Sequence, residues 1–182
     1  MAEWPEYQLP APPVLTPFSL ESLGACIAGP ILQGWGSFSS TQNANEAIFF
    51  PFRLTTWETA YQLLYLVGAT SSGNIDVGIY DSQKNRIVSS GSTAMSATVN
   101  TVQELNITDT VLPPGDYLLA VATDNTTGTL FGSGLADERS LSSIPIYEQA
   151  SAFPLPDPCV PVIATGTVPS IRVVGIQFRS TF

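Results

Sequence analysis

The sequence predicts an all-β fold, an antiparallel β-sandwich, for most of this 182-residue chain. Short apolar or alternating segments recur with turn signals about every 8–12 residues, and no long amphipathic helix pattern interrupts them. Fifteen prolines and fourteen glycines also favour a β protein that is rich in turns. Since domains average roughly 150 residues, the length corresponds to one domain with an added arm.

The distribution of proline indicates where the sheet has its centre. Residues 1–51 contain seven prolines, residues 52–112 contain none, and the remainder contains eight. Because proline lacks a backbone donor, we expect the proline-free block in the middle of a sheet. Pro51 predicts an edge position or a bulge, while the alternation of residues 74–81 predicts a half-buried antiparallel strand. Strands are predicted over residues 47–54, 60–69, 74–81, 86–91, 101–107, 116–124, 129–132 and 170–178.

Residues 1–45 are predicted to form an extended, proline-rich arm and linker, and residues 46–182 the sandwich domain. The arm has neither strand nor helix periodicity, and its prolines separate large apolar residues, which is typical of polyproline-like segments. A disordered tail would contain few such apolar residues. They lie either on the arm's own domain or on a neighbouring subunit, and we favour the neighbour. The predicted partner-binding residues are Trp4, Tyr7, Leu9, Val14, Leu15 and Phe18.

The charge balance excludes several classes of protein. The net charge is −9, Lys84 is the only lysine, and the five arginines are scattered, so we expect neither nucleic-acid binding nor docking on an anionic membrane. The chain has no histidine, which removes Ser–His–Asp catalysis and imidazole zinc sites. No early basic residue precedes an apolar run long enough for secretion or a membrane span, which predicts a soluble product made in a cytoplasm.

The remaining polar residues indicate no enzyme and no cofactor. The candidate carboxylates follow strand ends or turns, where aspartate caps or bends the chain; they are Asp76, Asp81, Asp109, Asp116 and Asp124. Calcium needs six to eight oxygen ligands, and no D-x-D-x-D-G loop supplies them, so no metal is expected. Cys26 and Cys159 allow at most one internal disulfide, and we interpret them as two unpaired thiols.

Several motifs follow one another in a recognisable order. They are FFPFRL, then GNIDVGIYD with the turn IVSSGS, then LPPGDYLLAV with the loop DNTT, and finally IRVVGIQF. This order resembles the jelly-roll modules in virion proteins of tailed bacteriophages, which occur on capsid exteriors and in tail or head fibres. The resemblance covers residues 46–135 and the last strand, and the arm lies outside it.

The resemblance implies a jelly-roll sandwich with a non-enzymatic structural role in a virion. It implies a homo-oligomer that is a trimer, with a major capsid or tail protein as partner and synthesis in the host cytoplasm. The small size of the chain and its long anchoring arm favour capsid decoration (cement or head fibre). The alternative is a tail-fibre or tail-tip component, a carbohydrate-binding module for a host surface glycan. That alternative predicts an exposed aromatic platform at Trp57 or Tyr80, with Asp124 and Asn125 in a neighbouring loop.

Overall fold

Fourteen β-strands are present in the part of the chain that the structure describes. The structure is a computed structural model, and it describes residues 25–26, 38–41, 43–133, 146–164, 171–172 and 174–180. The strands are β1 (Ala25–Cys26), β2 (Phe38–Thr41), β3 (Ala47–Leu54), β4 (Glu58–Leu66), β5 (Asn74–Asp81), β6 (Arg86–Ser89), β7 (Thr93–Ala94), β8 (Val102–Leu112), β9 (Gly115–Thr123), β10 (Thr129–Ser133), β11 (Tyr147–Gln149), β12 (Val162–Ile163), β13 (Ile171–Arg172) and β14 (Val174–Ser180). Within the described ranges there is no helix, and hence none of the length and apolar character that a membrane span needs.

The long strands lie where the sequence predicts them. β3 and β5 occupy the predicted residues 47–54 and 74–81. β8 continues five residues beyond the predicted 101–107, up to Leu112, because Pro113 is the first residue that cannot donate to a ladder. The strands that the sequence does not predict are β1, β2, β7, β11 and β12, each of two to four residues. Such short strands have too few residues for a pattern, and pairing with a neighbour defines them.

Every pairing between these strands is antiparallel, and the strands form two layers. The larger sheet has the order β12-β11-β3-β9-β5-β6, with β7 paired to the start of β5. The other layer contains a four-stranded sheet of order β1-β14-β4-β8 and a three-stranded sheet of order β13-β10-β2. Among the described residues, one bridge between Val67 and Leu130 joins these two smaller sheets.

The core lies between the two layers, which confirms the predicted β-sandwich. Alternate residues of β3, β5 and β9 in the larger sheet face alternate residues of β4, β8 and β14 in the other layer. The most deeply buried side chains of this core include Ile75, Val77 and Leu119 on one side, and Leu63 and Ile176 on the other, each with no exposed surface.

Pro51 lies inside the ladder of β3 and β9, where it is opposite Leu118. β11 pairs only with residues 47–49 of β3, so on that side the strand is free of a partner from Phe50 onward among the described residues. The prediction of an edge position at Pro51 therefore holds for this half of the strand. A proline is tolerated there because β11 does not extend as far as Pro51 and therefore needs no backbone donor from it.

The structure corrects the prediction that β5 is half-buried. All six residues from Ile75 to Tyr80 are buried, including Asp76 and Tyr80 on the face that was expected to be exposed. Residues 150–161, which we call the covering loop, lie across this outer face of the larger sheet. Ala152, Leu155 and Cys159 of the loop form a second apolar cluster with side chains of the sheet; the latter are Ala47, Phe49, Tyr80, Ala120 and Ala122.

Only part of the predicted arm falls within the described residues. Residues 25–26 form β1, which pairs with β14, and residues 38–41 form β2, which pairs with β10. These parts of the segment 1–45 therefore belong to the sheets. The predicted partner-binding residues, Trp4, Tyr7, Leu9, Val14, Leu15 and Phe18, lie outside the described residues.

Candidate functional site

Tyr80, a predicted ligand-binding residue, is fully buried beneath the covering loop. Its hydroxyl donates a hydrogen bond of 2.6 Å to the Pro156 carbonyl, and its ring meets Phe49 edge-on at 5.5 Å between centroids. Burial raises the pKa of this hydroxyl. The prediction of Tyr80 as an exposed platform is therefore wrong, because residues 150–161 close over that face.

Asp76 is fully buried within β5, whereas the sequence predicts a role at a strand end or turn. Its carboxylate accepts hydrogen bonds from the Leu155 amide at 3.0 Å and from the Ser90 hydroxyl at 3.3 Å. Burial raises the pKa of Asp76, and the Leu155 amide and the charge of Arg86 offset only part of this effect. The contact with Leu155 fastens the covering loop to β5, which is a positioning role.

Further polar contacts tie the covering loop to β6 and to the turn before it. The Arg86 guanidinium donates to the Leu155 carbonyl at 2.5 Å, and the Arg86 amide donates to the Asp157 carboxylate at 3.0 Å. The Cys159 amide donates to the Lys84 carbonyl at 3.0 Å. These partners are about 70 residues apart in sequence, so no local pattern could have revealed the contacts.

Cys159 carries a free thiol in the apolar cluster beneath the covering loop. This confirms the interpretation of an unpaired thiol for Cys159, whereas the side chain of Cys26 lies outside the described residues. Burial raises the pKa of the Cys159 thiol to about 11. The thiol is therefore protonated at neutral pH.

Asp124 and Asn125 close the loop between β9 and β10. The Asp124 carboxylate accepts hydrogen bonds from the Asn74 amide at 2.8 Å and the Asn74 side chain at 2.7 Å. The Asn125 side chain donates to the Ser72 carbonyl at 2.9 Å and accepts from the Gly128 amide at 2.7 Å. Hydrogen bonds from Asn125 and Asn74 lower the pKa of Asp124. These contacts fit the turn role predicted for Asp124, and they engage the groups that a ligand would need.

The structure separates the predicted ligand-binding residues from one another. Trp57 lies between β3 and β4 with 57% of its surface exposed, at the end of the sandwich where β9 begins. Asp124 follows the other end of β9, about 30 Å away at the rise of an extended strand. Trp57, Asp124 and Asn125 therefore do not form one site.

An open cleft lies on the outer face of the larger sheet, just beyond the area that the covering loop fills. We call it the outer cleft, and its volume is about 500 Å³. Two cross-strand pairs of β3 and β9 form its floor, Pro51 opposite Leu118 and Arg53 opposite Asp116. The residues along its walls are Ser82, Lys84, Tyr147 and Pro161, and the strands contribute Phe52 and Tyr117.

Arg53 and Asp116 form a two-point ion pair within the outer cleft. Arg53 Nε lies 2.6 Å from one carboxylate oxygen of Asp116, and Nη2 lies 2.8 Å from the other. Both side chains are exposed, at 70% and 58%. The hydrogen bond from Arg53 lowers the pKa of Asp116, so the pair is fully ionised at neutral pH. The remaining donors of Arg53 and the lone pairs of Asp116 are accessible to a ligand.

Lys84 reaches the outer cleft from the turn between β5 and β6. The turn is closed by Asp81, whose carbonyl accepts from the Lys84 amide at 3.0 Å and whose carboxylate accepts from the Asn85 amide at 2.9 Å. Lys84 has a φ of 73°, in the left-handed region that favours glycine or asparagine. The turn role predicted for Asp81 is confirmed. The backbone itself gives no reason for a lysine at position 84.

The outer cleft could not be predicted because the residues that line it come from five separate segments of the chain. The ion pair joins residues 63 positions apart. A cross-strand pair on an exposed face produces no recognisable pattern in the sequence of either strand. No group of three or more His, Cys, Asp or Glu side chains that could hold a metal ion occurs within the described ranges. Comparisons of the chain with protein-family models, with curated proteins and with solved structures gave no match.

Proposed function

We propose that this protein is a non-enzymatic structural component of a tailed-phage virion. In this proposal the sandwich is a jelly-roll module that faces outward as a capsid decoration, and the N-terminal arm fastens it to a major capsid or tail protein. The protein acts as a homo-oligomer, a trimer. The link from jelly roll to virion rests on analogy at the level of the fold, since jelly rolls occur in both viral capsid and lectin domains.

The strand order supports a jelly roll. When β2, β3, β4, β5, β6, β8, β9 and β10 are numbered one to eight, the larger sheet reads 2-7-4-5. The other layer reads 1-8 and 3-6, and the Val67–Leu130 bridge connects strands 8 and 3. The combination 2-7-4-5 and 1-8-3-6 is the order that two interlocked Greek keys produce in an eight-stranded jelly roll. Along most of β4 the neighbour opposite β8 is β14, so strands 8 and 3 meet at the bridge alone among the described residues.

The observation that supports an attachment role for the arm is the pairing of β1 with β14 and of β2 with β10. Both strands lie at the ends of their sheets, β1 beside β14 and β2 beside β10. The described part of the chain therefore begins at a sheet edge, and in this proposal residues 1–24 contact a neighbouring protein. Burying an apolar side chain of the size of Trp4 or Phe18 is worth about 1.5–3 kcal/mol. Six such side chains, repeated by symmetry, are enough for attachment without a covalent bond.

Deletion of residues 1–24 tests this attachment, because it leaves β1 and every later strand intact. Tagged full chain and tagged Δ1–24 are each supplied to cells that assemble the particle, and the protein bound to purified particles is measured. We expect Δ1–24 to be folded and absent from particles. The control variant Ser19→Ala, at a polar position of the arm, should load as the full chain does. Equal loading of Δ1–24 and the full chain would contradict the proposal.

Light scattering coupled to size exclusion tests the oligomeric state of both chains. A trimer for the full chain and for Δ1–24 is expected, because the domain then sets the symmetry and the arm is free to attach. A trimer that becomes a monomer on truncation would assign the arm to exchange between subunits, which contradicts its role as an anchor. A monomer in both cases would contradict the trimer.

A further inference from the structure

The outer cleft exists because the covering loop stops short of the end of the sheet. The loop buries Phe49, Tyr80 and Ala120, whereas Pro51 and Leu118, two positions further along the same face, are only half-buried. The two rungs of the ladder that line the cleft carry an apolar pair and a charged pair. The cleft above these rungs has a volume of about 500 Å³, which lies in the size range of small-molecule sites.

The ion pair at this place contributes little to folding. Arg53 and Asp116 are both more than half exposed, so water screens the attraction between their charges. What the pair offers is a set of N–H donors and carboxylate acceptors held side by side in fixed geometry. Neighbouring hydroxyls of a sugar, each of which donates and accepts, match this arrangement.

The charge of the outer cleft differs in sign from that of the protein. Arg53 and Lys84 are two of only six basic residues in a chain with fifteen acidic ones. Among the described residues that line the cleft, Asp116 is the one acidic residue, so these residues carry a net charge of +1 where the whole chain carries −9. A ligand with one negative charge therefore complements the cleft.

We infer that the outer cleft binds a carboxylated sugar. The apolar face of the ring lies against Leu118 and Tyr147, its hydroxyls bond to the Arg53–Asp116 pair, and its carboxylate meets Lys84. A simple anion would leave the apolar floor unused, and a neutral sugar would leave the charge of Lys84 unmatched. This inference goes beyond the assembly role and does not depend on it, since the cleft belongs to the domain and not to the arm.

Lys84 provides a variant that separates binding from folding. Because the φ of 73° at this position suits glycine, Lys84→Gly removes the charge and relieves the backbone at once. The variant should be at least as stable as the original chain. A loss of binding in Lys84→Gly cannot then be attributed to unfolding.

The test measures binding of glucuronate, glucose and acetate to the full chain, followed by backbone amide shifts in NMR titrations. We expect glucuronate to shift the amides of Leu118, Tyr147 and Lys84, and to bind at least tenfold more tightly than glucose or acetate. Hydrogen bonds to charged groups are worth about 1.5–3 kcal/mol, so Lys84→Gly should weaken glucuronate binding about tenfold to a hundredfold. Binding of glucose should be the same in both chains.

Arg179→Gln is the matched control. Arg179 forms an ion pair of 2.8 Å with Asp109 on the other layer, and the two side chains are exposed to a similar degree, 56% and 54%. The variant therefore removes one positive charge, as Lys84→Gly does, at a place away from the cleft, and glucuronate binding should be unchanged. Three results would overturn the inference: no shift with glucuronate, equal affinity for glucose or acetate, or an equal loss of binding in Arg179→Gln.

Discussion

Replacement of Tyr80 by phenylalanine measures what one hydroxyl contributes to holding the covering loop. The ring is fully buried against Phe49, and phenylalanine keeps that contact. The change removes the 2.6 Å hydrogen bond to Pro156, whose carbonyl is part of a half-buried residue and can regain water only in part. A lost hydrogen bond and a partly desolvated acceptor together cost about 1–2 kcal/mol of the free energy of unfolding. For a chain of this length that corresponds to a fall in Tm of about 2–8 °C.

Urea unfolding and thermal melting of Tyr80→Phe, Tyr80→Ala and Tyr61→Phe test this reasoning. Tyr80→Ala also empties the space of a buried ring and should cost about 3–5 kcal/mol. Tyr61→Phe is the control, since Tyr61 is half-buried on the other layer and its ring still contacts Arg179 at 4.7 Å. Its stability should change by less than about 0.5 kcal/mol. A change of the same size in Tyr61→Phe and Tyr80→Phe would refute the assigned hydrogen bond.

Three further predictions concern charge, backbone and reactivity. Burial raises the pKa of Asp76 above its ordinary 3.8, so the native state holds a proton on this carboxyl that the unfolded chain has already lost. The free energy of unfolding therefore falls as pH rises through the raised pKa, and Asp76→Asn should lose this dependence in urea titrations between about pH 3 and 7. Gly73→Ala should lower the free energy of unfolding by about 2–4 kcal/mol, because φ is +70° and a Cβ would lie 1.8 Å from Asn125 Nδ2. The control Gly91→Ala, at φ +67° in open space, should lower it by about 1 kcal/mol. Alkylation of Cys159 at neutral pH, followed by peptide mass spectrometry, should be slow until the chain unfolds, since burial raises its thiol pKa to about 11; rapid labelling of the folded chain would contradict its burial.

The sequence predicted the strands whose patterns are long enough to carry information. The alternation of residues 74–81 and the aromatic run of residues 47–54 defined β5 and β3, and the prolines after Leu112 ended β8. Asp81 closes the turn between β5 and β6, and the turn propensity of aspartate is sufficient to predict this. In each case a few consecutive residues contain the whole reason for the local structure.

The sites could not be predicted in the same way. Tyr80 and Asp76 alternate with apolar residues as exposed positions do, and only contact with residues 150–161 makes them buried. The covering loop has no period, and four prolines lie within residues 154–161. The Arg53–Asp116 pair likewise depends on the register of β3 against β9, which neither strand contains by itself.

The sequence by itself determined an all-β chain, the positions of its long strands and its acidic, histidine-free chemistry. The tertiary structure decided which face of the larger sheet is covered, which charged residues meet, and where the outer cleft is open. The physical reason is that alternation and turn residues act over a few neighbouring positions. Burial and pairing in an antiparallel sandwich instead join segments tens of residues apart, so their outcome depends on the whole fold.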